Sequence, residues 1–440
     1  MTKKISVFLF FLATILLMVG CSTTKTRIVD IGPGWSRTMV NATIFRSNSI
    51  VSHNGYQYAA YYDSLANVVL AKRKLGATKW EIKQTQYKGN ALDAHNVISI
   101  MVDGEGFLHM AWDHHGNPLH YCKSLKPGSL ELGGMTGMIG KGEENVTYPE
   151  FYRIPSDDLI FVYRDGSSGN GNLTMNRYDL ASKKWIRLHD NLINGEGERN
   201  AYWQIHVSDA GVIHLSWVWR EHFTVETNHD MCYARSNDGG KTWQTSTGKM
   251  YTIPIDSQTA EYAWRIPQNS DLINQTSMTA DDHDNPYIAT YYQATSDSCP
   301  QYYIIYKQST EWKLSRATNR TLNFDLAGAG SRSIPISRPK LLFSNKHGNK
   351  SLRMIYRDEE YQGEVCLASA DLSTLQWKTT TLTNFSVDRW EPSYDTELWR
   401  TKQQLNLFLQ KVGQESGEKA VKMEPQMVRV LEVGGRDVGF

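Results

Sequence analysis

The stretch "VDGEGFLHMAWDHH…LHYCKS" (102–124) decides the architecture, because it recurs as "SDAGVIHLSWVWRE…MCYARSNDGGKTW" (208–243). Each copy reads as a strand end, a tight Gly/Asp turn, a strand of alternating apolar residues and then further strands. Looser copies are "YQYAAYYDS…VVLAKRKLGATKW" (56–80), "DDLIFVYRDG…LTMNRYDLASKKW" (157–185), "DNPYIATYYQ…YYIIYKQSTEW" (284–312) and "KSLRMIYRDE…EVCLASADLSTLQW" (350–377). A degenerate last copy is "YDTELWRTKQQLNLFLQ" (394–410). Seven units can be counted, spaced by roughly 45–75 residues, which is enough chain for four strands each. Helical periodicity is scarce. The repeat therefore predicts an all-β chain, a seven-bladed β-propeller of four-stranded antiparallel blades.

One unit carries "SNDGGKTW" (236–243), a full match to the Asp-box pattern S-x-D-x-G-x-T-W. That turn joins the outer strands of a blade in many propellers, so it supports the fold and says little about function.

The ends and the composition narrow the class. Residues 1–21, "MTKKISVFLFFLATILLMVGC", pair two lysines with an apolar run of signal-peptide length, too short to span a bilayer. The "LMVGC" ending resembles a bacterial lipobox, which implies lipidation of Cys21. Residues 22–26 then form a tether, and 27–440 form one catalytic propeller. The expected location is the bacterial outer membrane, through the lipid anchor, or secretion. The net charge is +1, which points to no nucleic-acid partner. With 13 Trp and 23 Tyr, the chain is rich in rings that stack on pyranose faces or fill a β core. Cys122, Cys232, Cys299 and Cys366 lie far apart without a CxxC pair, as buried thiols or at most one or two disulfides.

The repeat also locates a site. Inner strands start at the channel rim to which second strands return, so residues at those two places converge. His95 falls level with Tyr148, Asn200, Asn274 and Arg338. After the second strands come "WDHH" (112–115), "YRD" (163–165), "WRE" (219–221), "YYQ" (291–293) and "YRD" (356–358). These endings are either a functional rim or a ring of ion pairs between blades. His109 occupies the slot of His214 within second strands and belongs to the repeat. His120 is assigned to an outer strand. His95, His114 and His115 remain at the rim, without standard zinc spacing. A second polar cluster, His222, His229, Asp230 and Cys232, is a candidate for a structural divalent cation.

The rim offers no obvious pair of carboxylates for glycoside hydrolysis. Arginine, tyrosine and histidine together suit β-elimination on a uronic acid. Arginine neutralises the C6 carboxylate, and His or Tyr moves the C5 proton and protonates O4. No cofactor is needed for that chemistry.

The blocks "DAHNVISIMVDGEGFLHMAWDHHGNPLHY" (93–121), "TYPEF" (147–151), "FVYRDGSSGNG" (161–171), "GERNAYWQ" (197–204) and "WRE…NHDMCYARSNDGGKTW" resemble the BNR-repeat propellers that include the ulvan lyases. The resemblance implies a catalytic set of Tyr148, His95 and Arg164, with Tyr148 as base and acid, His95 as base partner or substrate ligand and Arg164 as carboxylate neutraliser; members of the family differ in whether His or Tyr takes the proton. It implies substrate contacts from Tyr202 and His115, and the rim adds His114, Arg220, Asn200 and Asn274. The implied partner is an anionic uronic-acid polysaccharide, ulvan, cut at rhamnose–uronate linkages by a monomer to leave a uronate unsaturated between C4 and C5. An α-L-rhamnosidase or a rhamnose–glucuronate lyase acting on arabinogalactan is the alternative. A sialidase is suggested by "YRIP" (152–155) and three rim arginines, yet about two units precede that motif. A non-catalytic sugar-binding propeller would keep the same aromatic rim.

Overall fold

A computed structural model describes residues 26–434. The expected signal segment and the lipidation of Cys21 fall on residues 1–25, outside the described residues, as residues 435–440 also are. Seven antiparallel sheets follow one another, and all but the last pair their strands in chain order from inner to outer edge. In the fourth sheet, for example, Asn200–Val207, Ile213–Arg220, Asn228–Ser236 and Glu261–Trp264 run from inside to outside. The expected seven-bladed propeller is the observed fold.

Alternating apolar residues put one face of each blade against its neighbour, so the core is a series of layers between sheets rather than one centre. The repeat shows directly in that core. His109 is fully buried, with Nδ1 2.7 Å from the Tyr121 hydroxyl and Nε2 3.1 Å from Asp103. His214 sits likewise in its blade, 2.7 Å from the Tyr233 hydroxyl and 3.4 Å from Asp284. The Asp-box turn is closed by Asp238, which accepts from the backbone N–H groups of Lys241 and Thr242 at 3.0 and 2.9 Å, over a buried Trp243. Cys122, Cys232, Cys299 and Cys366 are all free, buried thiols.

Two blades depart from the simple repeat. The last is closed by both ends of the chain: Thr26–Gly34 pairs with Gln426–Val433, which pairs with Leu405–Leu409 and then Ser393–Tyr394. Such closure ties the ring shut, with the first and last strands of the described chain in one sheet. The second blade has three strands, Ile98–Val102, Leu108–Trp112 and Tyr121–Lys123. The chain between its last two strands leaves the blade, and His115–Asn117 pairs with the inner strand Val146–Arg153 of the third blade. His120 follows this excursion and precedes the third strand. Its backbone N–H donates to His114 Nε2 at 2.7 Å.

Candidate active site

The starts of the inner strands and the ends of the second strands do converge, on a cleft of about 180 Å³ at one mouth of the central channel. His95, His115, Tyr148, Arg164, Tyr202, Arg220 and Asn274 all border it. Six arginines face two glutamates in its lining, so the cleft selects anions.

Tyr148 owes its position to a local irregularity. The pairing of Val146–Arg153 with Leu159–Ser167 shifts register between Thr147 and Glu150, and Tyr148 adopts φ 57°. A bulge with a left-handed non-glycine residue costs free energy and turns a side chain off the sheet's alternation. Here it aims the Tyr148 ring at the cleft, packed against Phe45, Tyr202 and Trp203 with centroids 5.1, 5.9 and 6.1 Å away.

His95 is stacked between Phe45 (5.3 Å) and His115 (4.1 Å). Its Nδ1 lies 2.8 Å from Asp93 Oδ1, and His115 Nδ1 lies 2.6 Å from Asp93 Oδ2. One carboxylate thus orients both imidazoles. Burial opposes the Asp93 charge, but hydrogen bonds from His115 and His95 outweigh it and hold the carboxyl well below its usual range. His95 is pushed down by burial more than Asp93 raises it, so it is neutral at neutral pH. With Nδ1–H given to Asp93, the lone pair is on Nε2.

Arg164 is 2 % exposed, and its Nε and Nη1 have no hydrogen-bond partner among the described residues. Its guanidinium lies 5.0 Å from the centre of the Tyr148 ring. A buried guanidinium without a carboxylate is costly unless a ligand completes it. Arg220 is committed differently, donating to Asn228 (2.7 Å) and to the Tyr202 hydroxyl (3.0 Å). Arg357 is spent on the carbonyls of Ile334, Pro335 and Ile336. The ring of inter-blade ion pairs does not form from these endings. Neighbouring strand residues point to opposite faces, so each arginine turns to the cleft while its acid turns elsewhere. Glu221 takes Arg199 and His229, and Asp358 takes Arg320.

The two tyrosines divide. Burial, then the neighbouring Tyr202, push Tyr148 above an ordinary phenol, despite Arg164 and Arg220. For Tyr202 burial also raises the value, but Arg220 and Arg164 outweigh it and bring the phenol down to about 8. Tyr148 therefore keeps its proton, and Tyr202 is the one poised to lose it.

Three expected members stand apart. His114 is fully buried and absent from the cleft; its Nε2 accepts the His120 N–H, and burial keeps the ring neutral. Asn200 is buried beneath the cleft, where its side-chain oxygen accepts from the Gly169 backbone and anchors that loop. The cluster of His222, His229, Asp230 and Cys232 does not form a cation cage. His229 bridges Glu221 (2.7 Å) and Asp230 (3.0 Å), and those acids raise it against burial, favouring an imidazolium that cannot ligate a metal. Cys232 is fully buried, and the His222 ring packs 4.0 Å from Phe223. Among the described residues, Asp93, His95 and His115 are one set whose ligand atoms fall within 4.8 Å of one another. Asp93 itself escaped the sequence reading, though it lies two residues before His95. Phe45 and Glu418 escaped it because they come from loops outside the repeat; Glu418 accepts the Ala94 N–H at 3.2 Å and lies 3.5 Å from His95 Nδ1.

Fold and cleft together define a β-propeller with an arginine-rich, anion-selecting mouth. The chain matches the BNR repeat-containing family over residues 56–320, more than half its length, and belongs to that family. It is similar to an ulvan lyase of Nonlabens ulvanivorans, 22% identical over 195 residues, covering 36% of this chain and 40% of that one. It is also similar to a short-isoform ulvan lyase of Alteromonas sp. (strain LOR), 23% identical over 218 residues, covering 45% and 41%. The matched stretch thus spans about two fifths of each curated relative. Among solved structures, the polysaccharide lyase Uly1 superposes with a TM-score of 0.65 at 15% identity, covering 88% of this chain and 90% of that one. An ulvan lyase bound to -[GlcA(1-4)Rha3S]- gives 0.66 at 13% identity, covering 92% and 94%. At such identities the likeness is one of fold.

Proposed function

We propose that the protein is a polysaccharide lyase that cleaves uronate-containing chains of the ulvan type by β-elimination. The observation that carries this is Arg164, a buried guanidinium with N–H groups unpartnered among the described residues, in one cleft with a neutral histidine and a protonated tyrosine. A uronate carboxylate pairs with Arg164, which spreads the charge that builds up when C5 loses its proton. His95 Nε2 takes that proton, and Asp93 stabilises the imidazolium that results. The C5–H electrons form the C4=C5 bond as the C4–O4 bond breaks. The Tyr148 hydroxyl, kept protonated by burial, gives its proton to O4 of the leaving chain.

This assigns the base to His95 and the acid to Tyr148, rather than both to Tyr148. His115 and Tyr202 flank the reacting sugar, and Asn274 and Arg220 complete the wall. Hydrolysis by paired carboxylates is disfavoured because the lining glutamates are engaged: Glu391 holds Arg338 at 2.7 Å, and Glu418 is bound to backbone. Lipidation at Cys21 would hold the enzyme on the bacterial outer membrane beside its polymer.

The test is incubation with ulvan, following the ultraviolet absorbance of the new conjugated uronate. Wild type gives a rise, and Tyr148→Phe gives none while still binding the polymer. Release of free rhamnose from arabinogalactan without that absorbance would establish the hydrolase instead. Retained affinity with neither signal would establish a binding propeller.

A further inference from the structure

A cavity larger than the cleft with the chemistry lies elsewhere in the described chain. It is a chamber of about 700 Å³ at the opposite mouth of the central channel, lined by the far halves of the inner strands and by the helix Thr396–Lys402. Phe45 borders both spaces. We propose that this chamber is a second binding site, for a neutral saccharide of about two sugar units.

Three observations carry this. The first is unsatisfied hydrogen bonding. Gln275 is 3 % exposed and lines the chamber, yet neither its side-chain oxygen nor its nitrogen has a partner among the described residues. The neighbouring Thr276 hydroxyl, equally buried, also has none. An amide and a hydroxyl left open in this way offer donors and acceptors side by side, which is what a pair of sugar hydroxyls needs. Backbone geometry favours the arrangement: Gln275 has φ 44°, so it turns toward the chamber while Asn274 faces the cleft.

The second observation is the wall. Tyr152, Phe343 and Trp399 present ring surface beside those polar groups, the combination that binds a pyranose by its apolar face and its hydroxyls at once. The volume falls inside the roughly 300–1,000 Å³ typical of small-molecule sites.

The third is charge. Carboxylates outnumber basic side chains in the chamber lining, the reverse of the arginine-rich cleft. Deep inside, Lys340 Nζ donates to the Ile44 carbonyl at 3.5 Å, and Glu150 accepts from Trp203 Nε1 at 3.2 Å and from Tyr152. Burial drives Lys340 down to about 8, which leaves it mostly protonated at neutral pH, and pushes Glu150 upward. A polyanion is repelled here and a neutral sugar is not.

Ordered water is the competing occupant, since it too satisfies buried polar groups. Isothermal titration and saturation-transfer NMR of the full chain with cellobiose and maltose separate the two. Saturable binding of either disaccharide is expected, weakened at least ~10-fold in Gln275→Leu, the loss of about one buried hydrogen-bonded pair. It should be unchanged in Arg164→Met, which alters only the other mouth. Thr276→Val, which keeps the side chain's shape, repeats the measurement should Gln275→Leu fail to fold. The proposal is overturned if neither disaccharide binds, if both chamber variants bind like wild type, or if Arg164→Met abolishes binding. Glucuronate binding that survives Arg164→Met would overturn the neutral assignment.

Discussion

Replacing Arg164 with methionine should make the protein more stable and nearly inactive. Two of the guanidinium nitrogens, Nε and Nη1, are buried without partners, and an unmet buried donor costs about 1–3 kcal/mol. Methionine keeps most of the aliphatic stem and brings no donors. Lost with the charge is the contact to the Tyr148 ring at 5.0 Å, of order 0.5–2 kcal/mol. At the middle of these ranges the balance favours the variant by about 3 kcal/mol, read by denaturant unfolding of both proteins. Activity should move the other way. The carboxylate of the substrate would lose its counter-charge as the carbanion forms, and removing one such preorganised group costs about 10²–10³ in kcat. The assay is the initial rate of ultraviolet absorbance on ulvan. A variant less stable than wild type would mean that the guanidinium is already satisfied. A kcat within about tenfold of wild type would mean that the carboxylate is held elsewhere.

Asp93→Asn removes the shared anchor of His95 and His115 and should lower kcat about 10–100-fold with circular dichroism unchanged. Because the Asp93 carboxyl is depressed in the fold, it contributes stability above the ordinary carboxylate pKa, and that contribution is lost as pH falls through and below that range. The variant should therefore lose stability at neutral pH and show a flatter acid limb in unfolding curves taken across pH. For Tyr202, spectrophotometric titration of the phenols should show one tyrosine ionising near pH 8. That step should vanish in Tyr202→Phe and move to higher pH in Arg164→Met, because Arg164 and Arg220 are what lower it.

The two histidines of 109 and 214 explain why so much was legible from the sequence. A repeat unit must bury the same faces in each blade, so its apolar spacing and its in-blade His–Tyr pairs recur, and misplacing one copy would misplace them all. From that register alone the blade count, the cleft mouth and the convergence of His95, Tyr148, Arg164, Arg220 and Asn274 follow, while Tyr202 came from the family resemblance. What the repeat could not carry was each departure from it. The bulge that gives Tyr148 its left-handed backbone, the strand His115–Asn117 that crosses to the next blade, and the closure by Thr26–Gly34 are tertiary choices with no local signature. His114 and His115 are neighbours in sequence with the same chemistry, and only packing sends one into the core and the other to Asp93. Charge state is decided the same way. A histidine beside an acid reads alike at 95 and at 229, yet deep burial keeps His95 neutral, while two carboxylates with less burial favour the charged form of His229. Sequence fixes which groups exist and at what period they recur. Desolvation and the company each group keeps, which are properties of three dimensions, decide what those groups can do.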